Sequence, residues 1–259
     1  MTAPTQPPAA PSGAIPGPTT VPTTVPITVA ITGASGALGQ ALLQAWHRRG
    51  AQLVAISSRD QPLILRDPDG ATIPLRQVRW QTGQEAALAA ELADVDVLVL
   101  NHGTNSHQAR SPEATATALE VNALSSWRLA ELFAQQAAGR PGQATPELWF
   151  NTSEAEIQPA VSPLYEISKR LLGQLISLRA LDWASGGRPV RVRRLVLGPF
   201  RSELNPIGLM GADFVANQVL TQAQWGWNLI IVTPNPLTYV LMPLTTLGRW
   251  LYYSLTSKG

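Results

Sequence analysis

Tyr165 and Lys169 are the pair in this sequence best placed to move a proton. They stand four residues apart in Tyr165-Glu166-Ile167-Ser168-Lys169, and on a helix that spacing puts two side chains on one face. A phenol at its ordinary pKa of ~10 is a poor base near neutrality, and a nearby cation lowers that value. The sequence is sparing with lysine: of 19 Lys and Arg residues only Lys169 and Lys258 are lysines, the second close to the C-terminus. A lone ammonium within a chain that otherwise chooses guanidinium calls for a specific reason. Twelve residues before Tyr165, Ser153 closes the apolar run ELWFNT. A hydroxyl at the C-terminal edge of a parallel sheet faces the crevice where ligands bind, so Ser153, or the adjacent Thr152, is a candidate to hold a substrate carbonyl. Asn122 interrupts LEVNALSSWRLAELF, and asparagine is a poor helix former, which points to a polar task. Asn101-His102-Gly103 ends another apolar run. His102, His107 and the distant His47 have no acidic cluster around them, so no metal site is expected.

A second group of residues suits a phosphate. Thr32-Gly33-Ala34-Ser35-Gly36-Ala37-Leu38-Gly39 follows one apolar run and opens a helical pattern. Glycines let the backbone turn sharply and approach a pyrophosphate, and the helix start offers free N–H groups. Gly33, Ser35, Gly36, Leu38 and Gly39 are the candidate contacts. Enzymes that take NAD usually carry an acid at the end of the second strand for the ribose 2′-OH. Here that strand ends Ser57-Ser58-Arg59. Ser58 and Arg59 suit a 2′-phosphate, so NADP(H) is the preferred cofactor, with NAD(H) as the second choice.

These residues need a scaffold that brings strand ends together. ITVAIT (27–32), QLVAIS (52–57), VDVLVLN (95–101), ELWFNTS (147–153), RVRRLVLG (191–198) and NLIIVT (228–233) read as buried strands. Helical patterns to about Arg49, then over 84–93, 113–138, 164–184 and 209–224, alternate with them. That alternation predicts an α/β chain with a single Rossmann-type doubly wound parallel sheet and helices on both faces. One interval breaks the rule: 63–78, with Asp67-Pro68-Asp69-Gly70 between two β-like runs, reads as a hairpin where a helix is expected. Residues 1–25 are rich in Pro, Thr and Ala and are expected to be disordered. The domain then runs over 26–259, with an apolar tail at 237–259.

Composition bounds the partners. The chain has 259 residues, 45% hydrophobic, 14% charged, with net charge +2 and no cysteine. Nucleic acid is not an expected partner, and disulfides and thiolate chemistry are excluded. The N-terminal stretch lacks the basic and apolar regions of a secretory signal, which reads as a cytoplasmic protein. From Phe214 to Gly248, 35 residues carry no formal charge. Prolines at 234, 236 and 243 argue against a membrane span. The aromatics of 237–255 instead read as a surface for a membrane interface or apolar partner, against the plainer reading of a packed tail.

Taken together, residues 26–235 resemble the short-chain dehydrogenase/reductase family. Thr32–Gly39 resembles its glycine-rich turn, Asn101-His102-Gly103 its Asn-Ala-Gly element, and Gly198-Pro199 its Pro-Gly element; Asn122, Ser153, Tyr165 and Lys169 match its tetrad in order. The resemblance implies that Tyr165 transfers the substrate hydroxyl proton and Lys169 holds the nicotinamide ribose. Ser153 then orients the carbonyl, Asn122 supports a relay water, and Asn101, Gly103 and Pro199 join the cofactor contacts. It also implies a homo-oligomer formed through 113–138 and 164–184. Three features depart from the pattern: Ala37 in the turn, the hairpin at 63–78, and Trp80-Gln81 where many members carry an adenine-contacting aspartate. ALEVNALSSWRLAELF, NTSEAEIQPAVSPLYEISKR and GPFRSELNPIGLMGADFVA resemble the reductase half of cyanobacterial proteins that fuse a sterol-desaturase-like membrane domain to such a reductase. The expected activity is carbonyl/alcohol interconversion on a small-molecule or lipid substrate. The alternatives are a cofactor-binding scaffold and a membrane-associated partner of a desaturase.

Overall fold

Runs such as VAIT and LVAIS are too short for helices and too apolar for a sheet with one wet face. The computed structural model describes residues 26–138, 145–185 and 189–257. The N-terminal segment 1–25, expected to be disordered, and Lys258 lie outside the described residues. The strands are β1 (Thr28–Thr32), β2 (Gln52–Ser57), β3 (Arg76–Arg79), β4 (Val97–Leu100), β5 (Glu147–Ser153), β6 (Arg191–Leu197) and β7 (Leu229–Val232). They form one sheet in the order β3-β2-β1-β4-β5-β6-β7, parallel at every pairing. The helices are α1 (Ala37–His47), α2 (Ala89–Leu92), α3 (Pro112–Leu119), α4 (Ser125–Ala138), α5 (Pro163–Ser185), α6 (Ala212–Gln224) and α7 (Thr238–Thr256).

Strand residues alternate between two cores, as the pleat requires. Leu53, Ala55 and Trp149 face the core shared with α1 and α6. Val54, Ile56, Leu148 and Phe150 face the core shared with α2, α4 and α5. Both sheet faces are thereby covered, and the strand ends are left as the open edge. The direction reverses between β1 and β4, where such sheets bind their ligands.

Four segments differ from the sequence reading. The Asp67–Gly70 turn does form, with Gly70 at φ 85 and an antiparallel bridge between Arg66 and Thr72. Its second arm, however, continues into β3, which pairs parallel with β2 from Val54–Arg76 to Ser57–Arg79. An edge strand has one wet side, so the charged RQVR sequence is tolerated there. The helix read over 84–93 is a 3-10 turn (Glu85–Leu88) followed by the single turn of α2. The one read over 113–138 is split by a π-helical turn, Glu120–Leu124, that carries Asn122. The apolar tail is α7, which runs through Pro243 and rests on α5, where the Tyr253 hydroxyl donates to Gln174 at 2.9 Å. Among the described residues no helix is long and apolar enough to cross a membrane.

A buried ionic knot ties α7 to the sheet. Glu156, in the 3-10 turn after β5, has a side chain with 0% exposure. Its Oε2 meets Arg194 of β6 at 3.3 Å and Arg249 of α7 at 3.2 Å. Arg194 also donates to the Gly173 carbonyl (3.0 Å) and to Ser177 (2.8 Å) on α5. Gly173 is required here, because a Cβ would collide with the Glu156 carboxylate. Breaking one arm of such a buried pair typically costs about 3–5 kcal/mol.

Candidate active site

The end of β5, the first turns of α5 and the β4 edge converge on one place. Lys169 is buried, and its ammonium donates to the Asn151 carbonyl at 2.9 Å. The same Nζ lies 5.6 Å from the centroid of the Tyr165 ring. Burial pulls the Lys169 pKa down to about 8, with Glu156 opposing. Tyr165 moves the other way. Burial pushes its phenol above the ordinary value, the Ser153 hydroxyl pulls it back, and the Glu154 carboxylate adds to the rise. The four-residue spacing predicts a cation that lowers the phenol pKa, and the structure places the shift in the opposite direction. In this geometry the ammonium addresses a carbonyl and the ring face, so burial dominates and Tyr165 is held protonated. Ser153 is itself fixed, its Oγ accepting from Ala155 N at 3.2 Å.

Asn122 does not touch the pair. Its amide donates to Thr104 O and to Ser168 Oγ, both at 2.9 Å, and accepts from Thr104 N at 2.7 Å. It fastens the loop after β4 to the residue beside Lys169. The π-helical turn aims it there, a distortion often found at functional sites. Gly103 leaves room for it: a Cβ would stand 3.2 Å from Asn122 Oδ1.

The glycine-rich turn is built against the β4 edge. Gly33 has φ 62, and a Cβ there would lie 2.8 Å from His102 Cα. Gly39 packs on Gly33, with no room for a side chain. Gly36 is the N-cap of α1 and makes no side-chain cap. Leu38 turns its side chain into the core, so only its backbone belongs to the turn. Ser35 Oγ accepts from Ser57 Oγ at 3.0 Å. Asn101 joins the two halves of the site: its amide N–H reaches Thr32 Oγ1 (2.9 Å) and its Oδ1 accepts from Asn151 Nδ2 (2.8 Å). Asn151 therefore links the turn to Lys169. Its signal in the sequence is a polar residue inside the buried run WFNTS. Absent side chains on the turn and the hydroxyls at the β2 end fit a dinucleotide.

His102 fills the position that is alanine in the family element. Its imidazole bridges Thr32 Oγ1 (2.8 Å) and Ser125 Oγ (2.7 Å) and meets Trp80 edge-on at 5.0 Å. Burial, aided by the Lys169 charge and opposed by Glu85, holds its pKa down to about 3. It is a neutral brace. His107 is exposed at φ 49, and its carbonyl accepts from Ser162 Oγ at 2.7 Å. Among the described residues no cluster of three or more His, Asp or Glu is placed to hold a metal.

At the ribose end, Ser58 and Arg59 are both exposed. Arg59 is paired with Glu203 at 2.7 Å, and Arg79, which the sequence reading did not single out, with Asp60 at 2.8 Å. Pro199 closes the base of a loop, its carbonyl accepting from Leu209 N at 2.9 Å.

Fold and site together define a nucleotide-binding enzyme class. Residues 29–174 match the NAD dependent epimerase/dehydratase family, to which the chain belongs. It is 46% identical over 224 residues to a Synechocystis monoglucosyldiacylglycerol epimerase, covering 86% of this chain and 53% of that protein. The chain thus spans about half the length of that relative. Among solved structures, a short-chain dehydrogenase from Burkholderia cenocepacia in complex with NADP shares the fold at TM-score 0.72 and 20% identity, over 90% of this chain and 98% of that one. A short-chain dehydrogenase from Sphingobium yanoikuyae in complex with NADPH does so at TM-score 0.70 and 17% identity, over 90% and 97%.

Proposed function

We propose that the protein is an NADP(H)-dependent oxidoreductase that interconverts a secondary alcohol and a ketone on the sugar headgroup of a glycolipid. Its net reaction on this reading is epimerisation. The observation that carries this is the convergence of Ser153, Tyr165 and Lys169 on the sheet edge beside the glycine-rich turn. The lipid and the epimerisation rest on the 46% identity to a monoglucosyldiacylglycerol epimerase.

When bound, NADP(H) would supply or accept the hydride. Gly33, Ser35, Gly36, Gly39 and the backbone of Leu38 would hold its pyrophosphate. Asn101, Gly103 and Pro199 would flank it, and Ser58 and Arg59 would take its 2′-phosphate, with NAD(H) as the weaker alternative. In the reducing direction Tyr165 gives its hydroxyl proton to the carbonyl oxygen, a role that suits a phenol kept protonated. Ser153 donates a hydrogen bond to the same oxygen. Lys169 holds the nicotinamide ribose, and Asn122 keeps the loop after β4 in register with α5. The oxidising direction that opens the cycle needs Tyr165 as its phenolate, which takes the alcohol proton as the hydride leaves for NADP+; the reduction that follows returns that proton to the ketone oxygen. Reducing the ketone on its opposite face inverts the carbon.

A bilayer surface is the proposed partner of α7. Val240, Leu244, Leu247, Leu251 and Leu255 form a stripe with Trp250 and Tyr252 beside it, all between 47% and 84% exposed. The helix's one formal charge, Arg249, is turned inward to Glu156. α7 starts beside the site, since Thr238 Oγ1 donates to Glu154 at 3.1 Å next to Ser153. A docked α7 would bring the site mouth to a lipid headgroup.

The test is incubation with NADPH, NADP+ or NAD+ and monoglucosyldiacylglycerol in detergent, followed by chromatography of the released hexose. Conversion to an epimer by the natural chain, lost in Tyr165→Phe, is the expected result. An unchanged sugar together with no oxidation of NADPH by any ketone offered would defeat the proposal.

A further inference from the structure

Arg59, the cation assigned to the 2′-phosphate, is already occupied. Its Nη2 lies 2.7 Å from Glu203 Oε2. Glu203 comes from the far side of the cleft, on the segment that leaves β6. That segment is a built strap. Arg201 N donates to Met210 O at 2.8 Å, and Pro199 O accepts from both Leu209 N and Met210 N. Gly208 packs on Phe200 with no room for a Cβ. At the tip, Ser202 and Asn205 exchange two backbone hydrogen bonds of 3.1 Å each, which presents Glu203 and Leu204 at the apex. Asn105 Nδ2 holds the Leu204 carbonyl at 3.3 Å. In the strand order β6 and β2 are separated by β5, β4 and β1. At roughly 4.8 Å per spacing, the tip reaches about 19 Å across the sheet edge. It passes over the β1/β4 switch point, where a dinucleotide would lie.

We propose that Glu203 is a latch that holds Arg59 in place of the nucleotide 2′-phosphate, so that a 2′-phosphorylated nucleotide releases the strap tip and an unphosphorylated one leaves it fastened. This rests on the assignment of Arg59 to the cofactor's 2′-phosphate. A carboxylate and a phosphate present the same paired oxygens to a guanidinium. One guanidinium cannot serve both at full strength, and the two anions repel each other. The Arg59 and Glu203 side chains are 50% and 73% exposed, so their pairing is weak by itself. A phosphate carrying more than one charge displaces the carboxylate, and the ligand is thereby read by the strap as well as by the β2 end.

The experiment is calorimetric titration of the full chain with 2′,5′-ADP and with 5′-AMP, for the natural protein, Glu203→Gln and Arg59→Ala. Removing the competing carboxylate should tighten 2′,5′-ADP about two- to five-fold and leave 5′-AMP unchanged. Trypsin cleavage at Arg201 in the natural protein should accelerate with 2′,5′-ADP and not with 5′-AMP, as the tip is freed. Unfolding curves for Glu203→Gln should overlay those of the natural chain, because the residue is on the surface. If Arg59→Ala weakens 2′,5′-ADP while Glu203→Gln changes neither ligand, the latch is wrong and the cofactor assignment stands. If Arg59→Ala leaves 2′,5′-ADP untouched, the cofactor assignment itself fails and takes the latch with it. Equal tightening of both ligands by Glu203→Gln also overturns the latch, since it would mark a general charge effect.

Discussion

Tyr165 and Lys169 are driven in opposite directions by the same burial, the phenol up and the ammonium down to about 8. Desolvation penalises whichever form is charged, so the phenol is kept neutral while the ammonium stays charged only up to about pH 8. Tyr165→Phe removes only the proton donor and should lower kcat about 10²–10⁴-fold with NADPH affinity kept, measured by single-turnover reduction. Lys169 gives a pH signature. Its native pKa lies below the unfolded value near 10.5, so the unfolded chain binds the extra proton between pH 8 and 10.5. This group's contribution to stability therefore rises with pH through that window. Ligand binding runs the other way. The ammonium that holds the ribose is lost above about pH 8, so NADPH affinity should fall there. In Lys169→Arg the cation persists, and affinity should be weaker at pH 7 but flat to pH 9.5. A natural enzyme whose affinity does not change over that range would refute the assignment.

Elements, more than single residues, decide what these groups can reach. His102 braces the β4 edge to β1 and to the start of α4 through Thr32 and Ser125. Its native pKa of about 3 lies below the ordinary 6.5. The unfolded chain takes up a proton that the native one refuses, so this stability is present above pH 6.5 and lost as pH falls toward 3. His102→Ala should cost about 1–3 kcal/mol at pH 7.5, where two hydroxyls lose their partner, yet show a shallower decline of Tm under acid. An equally steep decline in the variant would show that His102 does not carry it. For α7, the outward stripe bears no cation, so its proposed hold on a bilayer should be insensitive to salt and to anionic lipid. Replacing Leu244, Leu247 and Leu251 with serine should abolish flotation with neutral glycolipid vesicles and leave Tm within about a degree, since all three are exposed. Flotation that survives the triple change, or that vanishes in 0.5 M salt, would remove α7 as the contact.

At the scale of the whole molecule, the sheet was legible because its strands are short, β-branched and bounded by turns. The pairing of Tyr165 with Lys169 was legible because helical spacing is local and lysine is scarce. What stayed hidden was non-local. β3 carries RQVR, a sequence that reads as solvent-facing until β2 is set beside it. The π-helical turn that aims Asn122 has no local signature. Asn151 and Glu203 gain their meaning from partners 50 and 144 residues away. Pro234, Pro236 and Pro243 masked α7, which starts after the first two and tolerates the third on its exposed side.

The ionic knot around Glu156 has a practical bearing on how this protein is handled at the bench. An apolar C-terminal helix invites trimming to improve yield. Removing it also removes Arg249, one of the two guanidiniums facing Glu156, and Glu156 is the group that holds the Lys169 pKa up against burial. A trimmed enzyme would leave more of that negative charge uncompensated beside the ammonium, so its altered rate would say nothing clean about lipids. Surface leucines can be exchanged without disturbing the proton chemistry; the helix beneath them cannot be cut away.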